Sequence, residues 1–367
     1  MNVAFLLGSG VSCPAGMPNT TDLTNAILTG DGHARHTDGT YFKGKPLYAH
    51  IGEPDAYVPH ISCFLRCLEC NVSTYYNRTL GRTPNYEDLY YLVHQIYEEE
   101  VGDLDNPFIF DVQREMRPQL CQCAERIRHT AHSSPDISIL IHDILNCITC
   151  VVATELANQG GSADYLRFLH EARDASVSGR LSIFTLNHDL LLERFLKSQN
   201  VAVIDGFGQP VNSVRYWDPE LLSSNVEGCL ILKLHGSLNW FRFRPDGGDW
   251  GDERCGLPEI ADIERTRGPD GQEQRVVSPP LMLIGTFNKI PQYTGSLFSD
   301  LFCEFHRRLT TVDMLVVCGY GFGDKAINGQ LIEWLYSLRN RRMLVVHPAP
   351  DGLRATARGA VPNKWDT

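Results

Sequence analysis

Apolar runs of strand length recur along the chain, at residues 3–7, 181–185, 201–204, 229–234, 281–284, 313–318 and 343–347. They are rich in Val, Ile and Leu with few polar interruptions, the pattern of strands covered on both faces. Stretches with helical spacing, 189–198, 297–309 and 326–338, stand between several of them. A strand covered on both faces needs helices on both sides of its sheet, and strands alternating with helices run parallel. The expected fold class is therefore α/β: a Rossmann-like, doubly wound, mainly parallel sheet whose ligand crevice lies beyond the carboxyl ends of its strands.

Between the first run and the second the pattern changes. Apolar residues recur at helical spacing within 86–93, 137–145 and 163–169, so 84–174 reads as an inserted helical module. Residues 31–80 are rich in Gly, Pro, His and Tyr without clear period, which predicts an irregular loop or lid. The expected organisation is one domain over 1–350, interrupted by loop and helical insert over 31–175, with a loose tail at 351–367. Gly, Pro and charges crowd 242–278, which reads as a surface excursion between core strands.

With 43% hydrophobic and 21% charged residues the chain can bury a core. A formal charge of −11 gives no general attraction to phosphate backbones, and the basic run at 339–342 reads as a solvated helix end. No direct nucleic-acid binding is expected. The longest apolar stretches look strand-sized, so no membrane span is expected. The chain enters its first strand without a basic leader, and its 12 cysteines suit free thiols; both point to a cytoplasmic protein. Cys67 with Cys70 and Cys147 with Cys150 have metal-like spacing, but the second pair falls in a helical apolar pattern, and both pairs read as buried thiols rather than a zinc site.

Residues that bear chemistry cluster at the strand ends. Gly8, Ser9, Gly10 and Ser12 follow the first run, and Asn19 and Asp22 provide caps ahead of the helical stretch 23–28. Glycine lets backbone N–H groups approach a pyrophosphate at a helix N-terminus, although a plain strand-to-helix turn has the same composition. Beyond 181–185 stand Asn187 and Asp189, close enough to enter one cleft, with an Asx cap as the plainer role for Asp189. His235 follows the run 229–234, where it can act as a general base near neutral pH, and Gly236 is expected to keep the region beside it open. A lone histidine is more often structural; the coincidence of several such strand ends in one order favours a shared site.

Taken in order, Gly8-x-Gly10-x-Ser12, Thr185-x-Asn187-x-Asp189, His235-Gly236 and the glycine-rich 319–324 resemble the NAD site of sirtuins. The similarity is closer to the sirtuin-like NAD hydrolases of prokaryotic anti-phage defence systems. It is carried by Leu234-His-Gly-Ser237, by the run from Pro279 with Lys289 and Tyr293 after it, and by Gly319-Tyr-Gly-Phe-Gly-Asp324 with Ile327 and Asn328. The resemblance implies that Asn187 orients the attacking group, Asp189 holds the nicotinamide carboxamide and His235 is the catalytic histidine. It further implies cofactor contacts from Gly8, Ser9, Gly10 and Ser12 in a phosphate loop, and from Gly319, Gly321, Asp324 and Asn328 under the adenosine half. His347 precedes Pro348 where sirtuins have an Asn-Pro pair, and is placed with the cofactor residues.

Two departures bear on the reaction. Sirtuin deacylases carry Gln before the site asparagine, where this chain has Leu186. They also carry paired zinc cysteines after the His-Gly, whereas Cys255, Cys303 and Cys318 are far apart here, so no zinc is expected. The resemblance then favours an NAD hydrolase, with NAD as substrate, over an NAD-dependent protein lysine deacylase or a non-catalytic NAD or ADP-ribose sensor. Free NAD hydrolysis is toxic, so the family implies a gated effector of antiviral defence. The expected partners are further copies of the chain in a homo-oligomer and a separate activator, such as a HerA-type ATPase or a short Argonaute, meeting the helical insert and 31–80.

Overall fold

The computed structural model describes residues 2–30, 32–36, 39–44, 57–104, 106–131, 136–157, 160–174, 176, 179–223, 227–260, 263–277 and 279–365. From β1 (Val3–Leu7) the chain passes two 3-10 turns, Ser9–Val11 and Cys13–Ala15, into α1 (Thr20–Thr29). A hairpin of β2 (His33–Arg35) and β3 (Tyr41–Lys43) precedes four helices, α2 (Tyr57–Leu80), α3 (Tyr86–Val101), α4 (Ile109–Ala131) and α5 (Ile137–Ala157). After α6 (Arg167–Asp174) come β4 (Arg180–Thr185), α7 (Leu191–Ser198), β5 (Val203–Ile204), β6 (Phe207–Val211), β7 (Val214–Trp217) and β8 (Gly228–Lys233). Next in order are β9 (Phe241–Pro245), β10 (Arg254–Pro258), β11 (Arg265–Arg267) and β12 (Glu273–Val277). The chain closes with α8 (Lys289–Gln292), α9 (Ser296–Thr310), β13 (Met314–Cys318), α10 (Lys325–Ser337), β14 (Arg342–Val346) and α11 (Pro350–Thr356).

Two compact units result. The first comprises Met1–Met17, Gln159–Leu283 and Lys289–Thr367. Its main sheet has the order β14-β13-β1-β4-β8-β5 with every pairing parallel, the doubly wound α/β arrangement expected from the buried runs. Alternate side chains of each strand enter opposite cores. Ala4, Leu6, Phe184, Leu232 and Val317 pack under α9 and α10, while Phe5, Leu7, Ile183 and Ile231 pack under α6 and α7. Because the chain leaves β8 and returns to β13 beside β1, the strand order reverses at β1, which puts a crevice outside the carboxyl ends of β13, β1 and β4.

Several expectations need correcting. The excursion at 242–278 is ordered: β9 to β12 join β6 and β7 in a six-stranded antiparallel sheet, order β11-β12-β9-β10-β7-β6. Its strands bury few apolar residues, Phe243 and Val214 chief among them, between charged neighbours such as Arg242 and Arg244, so the period of two is faint in the sequence. Residues 281–284 form no sheet strand but cross the turn after β8: Gly236 and Met282 make an isolated bridge, the Leu281 amide donates to the Trp240 carbonyl at 2.7 Å, and the Ser237 amide donates to that of Leu281 at 3.0 Å. The segment after Pro350 is not loose: Leu353 and Val361 are buried, and Trp365 lies edge-on to Phe322 with ring centroids 6.0 Å apart.

The second unit is Pro18–Asn158 with Ile284–Asn288, so α1 groups with the helical insert and 160–174 does not. The capping residues perform as expected: Asn19 accepts from the amides of Thr21 and Asp22, and Asp22 accepts from that of Asn19. The loop or lid expected at 31–80 is in part a hairpin and a helix of 24 residues, with 45–56 outside the described residues. Val58, Ile61, Leu65 and Leu68 recur at helical spacing and are buried along α2; interspersed His, Cys and Tyr obscured that stripe. α5 is longer than the strand-sized runs expected and is apolar enough by composition to cross a bilayer. Leu140, Ile141, Ile144, Ile148 and Val152 are buried along it, which makes it the core helix of this unit.

Candidate functional site

Two glycine segments meet at the switch point. The Gly8 amide donates to the Cys318 carbonyl at 2.9 Å, and the Gly10 amide to that of Gly319 at 3.0 Å. A Cβ on Gly8 would lie 2.5 Å from the Gly319 carbonyl oxygen; one on Gly319, where φ is +65°, would lie 2.4 Å from the Val11 nitrogen. No side chain fits between backbones at that separation, which is the physical reason for glycine on both loops. The loop expected to cradle a phosphate does not run straight into the N-terminus of α1. The Val11 and Ser12 amides bond the Gly8 and Ser9 carbonyls at 3.0 Å, coiling the loop into 3-10 turns, and α1 begins only at Thr20 behind its own cap. Ser9, Gly10, Gly321 and Gly323 remain exposed on the two loops.

Ser12 turns inward instead. Its hydroxyl donates to Asp189 Oδ2 at 2.8 Å and accepts from Asn187 Nδ2 at 3.0 Å, so one buried serine ties together both residues that follow β4. Asp189 Oδ1 also accepts from the Leu191 amide at 2.9 Å, the Asx turn foreseen as its plainer role. Asn187 Oδ1 is buried with no partner among the described residues, an acceptor in want of a donor. Beneath the loop, Tyr165 donates to the Val11 carbonyl at 2.7 Å; burial first, then the charge of Asp189, pushes its phenol up to about 12, so it stays protonated.

His235, on the turn after β8, is 5% exposed. The Leu283 amide donates to its carbonyl at 2.8 Å, and Gly236 takes φ +83° with the Leu281 carbonyl so near that a Cβ would lie 2.1 Å from it. The glycine of the His-Gly pair thus admits a crossing backbone rather than keeping space open. His235 Nε2 faces Asp324 Oδ2 at 3.1 Å. Burial opposes ionisation of Asp324, but the hydrogen bond and charge of His235, the Lys289 ammonium and the Ile327 amide hold its carboxyl down at about 2. Asp324, expected under the adenosine half, thus pairs with the histidine.

Asn328 and His347, expected at the cofactor, both bond within the chain. Asn328 is 5% exposed and clasps the glycine loop, donating to the Phe322 carbonyl at 2.8 Å and accepting from Tyr320 at 2.8 Å. That clasp holds Phe322 at φ +51°. His347 lies past the edge strand β14, two strands from β1, where its Nδ1 accepts from the Ala349 amide at 3.0 Å.

Two further residues, His188 and Lys233, were not anticipated, and Lys289 was named only as part of a motif. His188, 7% exposed, has its ring centroid 6.2 Å from that of His235; burial, then His235, Lys289 and Lys233, push its pKa well down, which leaves it neutral. Its Nδ1 is buried with no partner among the described residues. Lys233, the last residue of β8 and 3% exposed, pairs with Glu193 at 2.8 Å and donates to the Asp189 carbonyl. A lysine closing an otherwise apolar strand was the available signal. Lys289 is 2% exposed.

Among the described residues no group of three or more His, Cys, Asp or Glu could hold a metal. Cys147 and Cys150 are buried on α5, whereas Cys67 is half-buried and Cys70 exposed on α2, contrary to the reading of both pairs as buried.

No curated protein matches the chain. A family model for the SIR2-like domain matches residues 181–364, half of the chain, a span that holds Asn187, Asp189, His235 and Asp324. With the parallel sheet and the strand-end network beneath that match, the chain belongs to the SIR2-like domain family.

Proposed function

We propose that this site hydrolyses NAD at the bond between nicotinamide and ribose. The carrying observation is that two hydrogen-bonded sets, Ser12 with Asn187 and Asp189 and His235 with Asp324, stand at the ends of the neighbouring strands β1, β4 and β8 and the start of α10, with a buried Asn187 oxygen that has no donor among the described residues. Asn187 Oδ1 would take a hydrogen from the attacking water or a ribose hydroxyl. Asp189, braced by Ser12 and Lys233, keeps lone pairs for the carboxamide N–H of nicotinamide. The glycosidic C–N bond breaks as a C–O bond to water forms. Nicotinamide leaves neutral from a cationic ring, so the leaving group needs no acid, while the water must lose a proton. His235 accepts it.

Hydrolysis is favoured over lysine deacylation by Leu186 in place of the usual glutamine, and over passive sensing by the joint presence of Asn187, Asp189 and a buried histidine–carboxylate pair. The motif resemblance supports a wider reading: a gated, NAD-depleting effector of antiviral defence, working as a homo-oligomer with a separate activator protein. Nicotinamide release from NAD by the wild type and by His235→Ala tests the catalytic assignment. General-base assistance is worth about 100- to 10,000-fold, and equal rates would refute the role given to His235.

A further inference from the structure

We propose that Asp324 is a positioning residue for His235: its carboxylate fixes the imidazole as the Nε2–H tautomer and steadies the imidazolium formed when the ring takes up a proton. The geometry carries this. Asp324 immediately precedes α10, and its Oδ1 accepts from the amides of Ala326 at 2.9 Å and Ile327 at 3.0 Å, so the helix start immobilises the carboxylate. The other oxygen, Oδ2, lies 3.1 Å from His235 Nε2, with the two side chains 6% and 7% exposed. An ionised carboxylate only accepts hydrogen bonds, so the imidazole nitrogen facing it carries the proton. A proton taken up by His235 then enters at Nδ1 and leaves an imidazolium whose Nε2–H remains on Asp324. The other groups facing the pair are His188 from the loop after β4, and Lys289 and Tyr293 on and just past α8. His188, kept neutral by burial, adds no second positive charge beside that of Lys289, and the Asp324 carboxylate offsets the imidazolium.

The consequence for turnover rests on the proposed hydrolase reading; the tautomer does not. Asp324→Asn preserves the helix cap, because asparagine caps as well as aspartate, but turns an N–H toward Nε2 and forces the ring into the Nδ1–H form. With turnover followed as nicotinamide release, kcat is expected to fall about 100- to 10,000-fold with KM little changed, as befits a histidine held in the wrong tautomer. Asp324→Ser also keeps a capping oxygen yet imposes no tautomer, and should lose less. Wild-type kcat in Asp324→Asn would reduce Asp324 to a helix cap, and a rise in KM alone would make it a substrate contact; either overturns the proposal. Nitrogen-15 NMR of histidine-labelled protein, with the His235 signal assigned by its loss in His235→Ala, decides the matter even if NAD is not turned over. Nε2–H in the wild type and Nδ1–H in Asp324→Asn is the expected pair of results, and Nδ1–H in the wild type would overturn the proposal.

Discussion

Replacing Gly319 by alanine tests the contact on which the site is built. Its φ of +65° is costly for any residue with a Cβ, about 1–2 kcal/mol. The added carbon would lie 2.4 Å from the Val11 nitrogen and 2.7 Å from the Gly10 carbonyl carbon, both backbone atoms that cannot swing aside. Relief requires the 8–12 loop to move, and overpacking of this kind costs about 1–3 kcal/mol. Together the terms give roughly 2–5 kcal/mol, which for a unit of this size lowers the thermal midpoint by roughly 5–15 °C. Because Ser12 travels with the loop, its bonds to Asn187 and Asp189 are broken as well, and any NAD affinity should fall with stability. Gly321→Ala is the matched control: no atom lies within 4 Å of its added carbon and its φ is not left-handed. Thermal unfolding followed by circular dichroism on the two variants decides the point. Equal midpoints for Gly319→Ala and Gly321→Ala would refute the claim that backbone contact between the loops requires glycine.

Two other expectations follow from the packing and charge. The Asp324 carboxyl sits at about 2 when folded against an ordinary 3.8, so the unfolded chain binds that proton first as pH falls. Its contribution, ~2 kcal/mol, is complete above pH ~4 and disappears between pH ~4 and ~2; urea titrations across that range should show a steeper loss for wild type than for Asp324→Asn, and parallel losses would count against the assignment. Truncation after Ala349 removes the buried Leu353 and Val361, worth about 1.5–3 kcal/mol each, and should lower the thermal midpoint; an unchanged midpoint would restore a loose tail.

Where one type of residue filled an element, the sequence revealed it: the runs that became β1, β4, β8 and β13 are continuous because both faces of each strand are covered, wholly or in part, and the ends of β1 and β4 carry Ser12, Asn187 and Asp189, which the fold joins through hydrogen bonds. Elements with mixed composition stayed hidden. α2 buries its stripe amid cysteines and tyrosines, and the antiparallel sheet alternates a few apolar residues with arginines, so local periodicity was weak in both. The tertiary partners of the strand-end residues could not be read locally. Nothing local distinguishes an Asp324 that faces a ligand from one that faces His235, an asparagine 328 that contacts adenosine from one that clasps Phe322, or a glycine that bares an amide from one that admits another backbone.

The most direct test of the account supplies the protein, together with its activator where one is required, with NAD and no acylated peptide, and quantifies nicotinamide and ADP-ribose by chromatography. One nicotinamide and one ADP-ribose for each NAD consumed, lost in His235→Ala, is the predicted result. Nicotinamide appearing only when an acylated lysine peptide is added, with transfer of the acyl group to ADP-ribose, would contradict it.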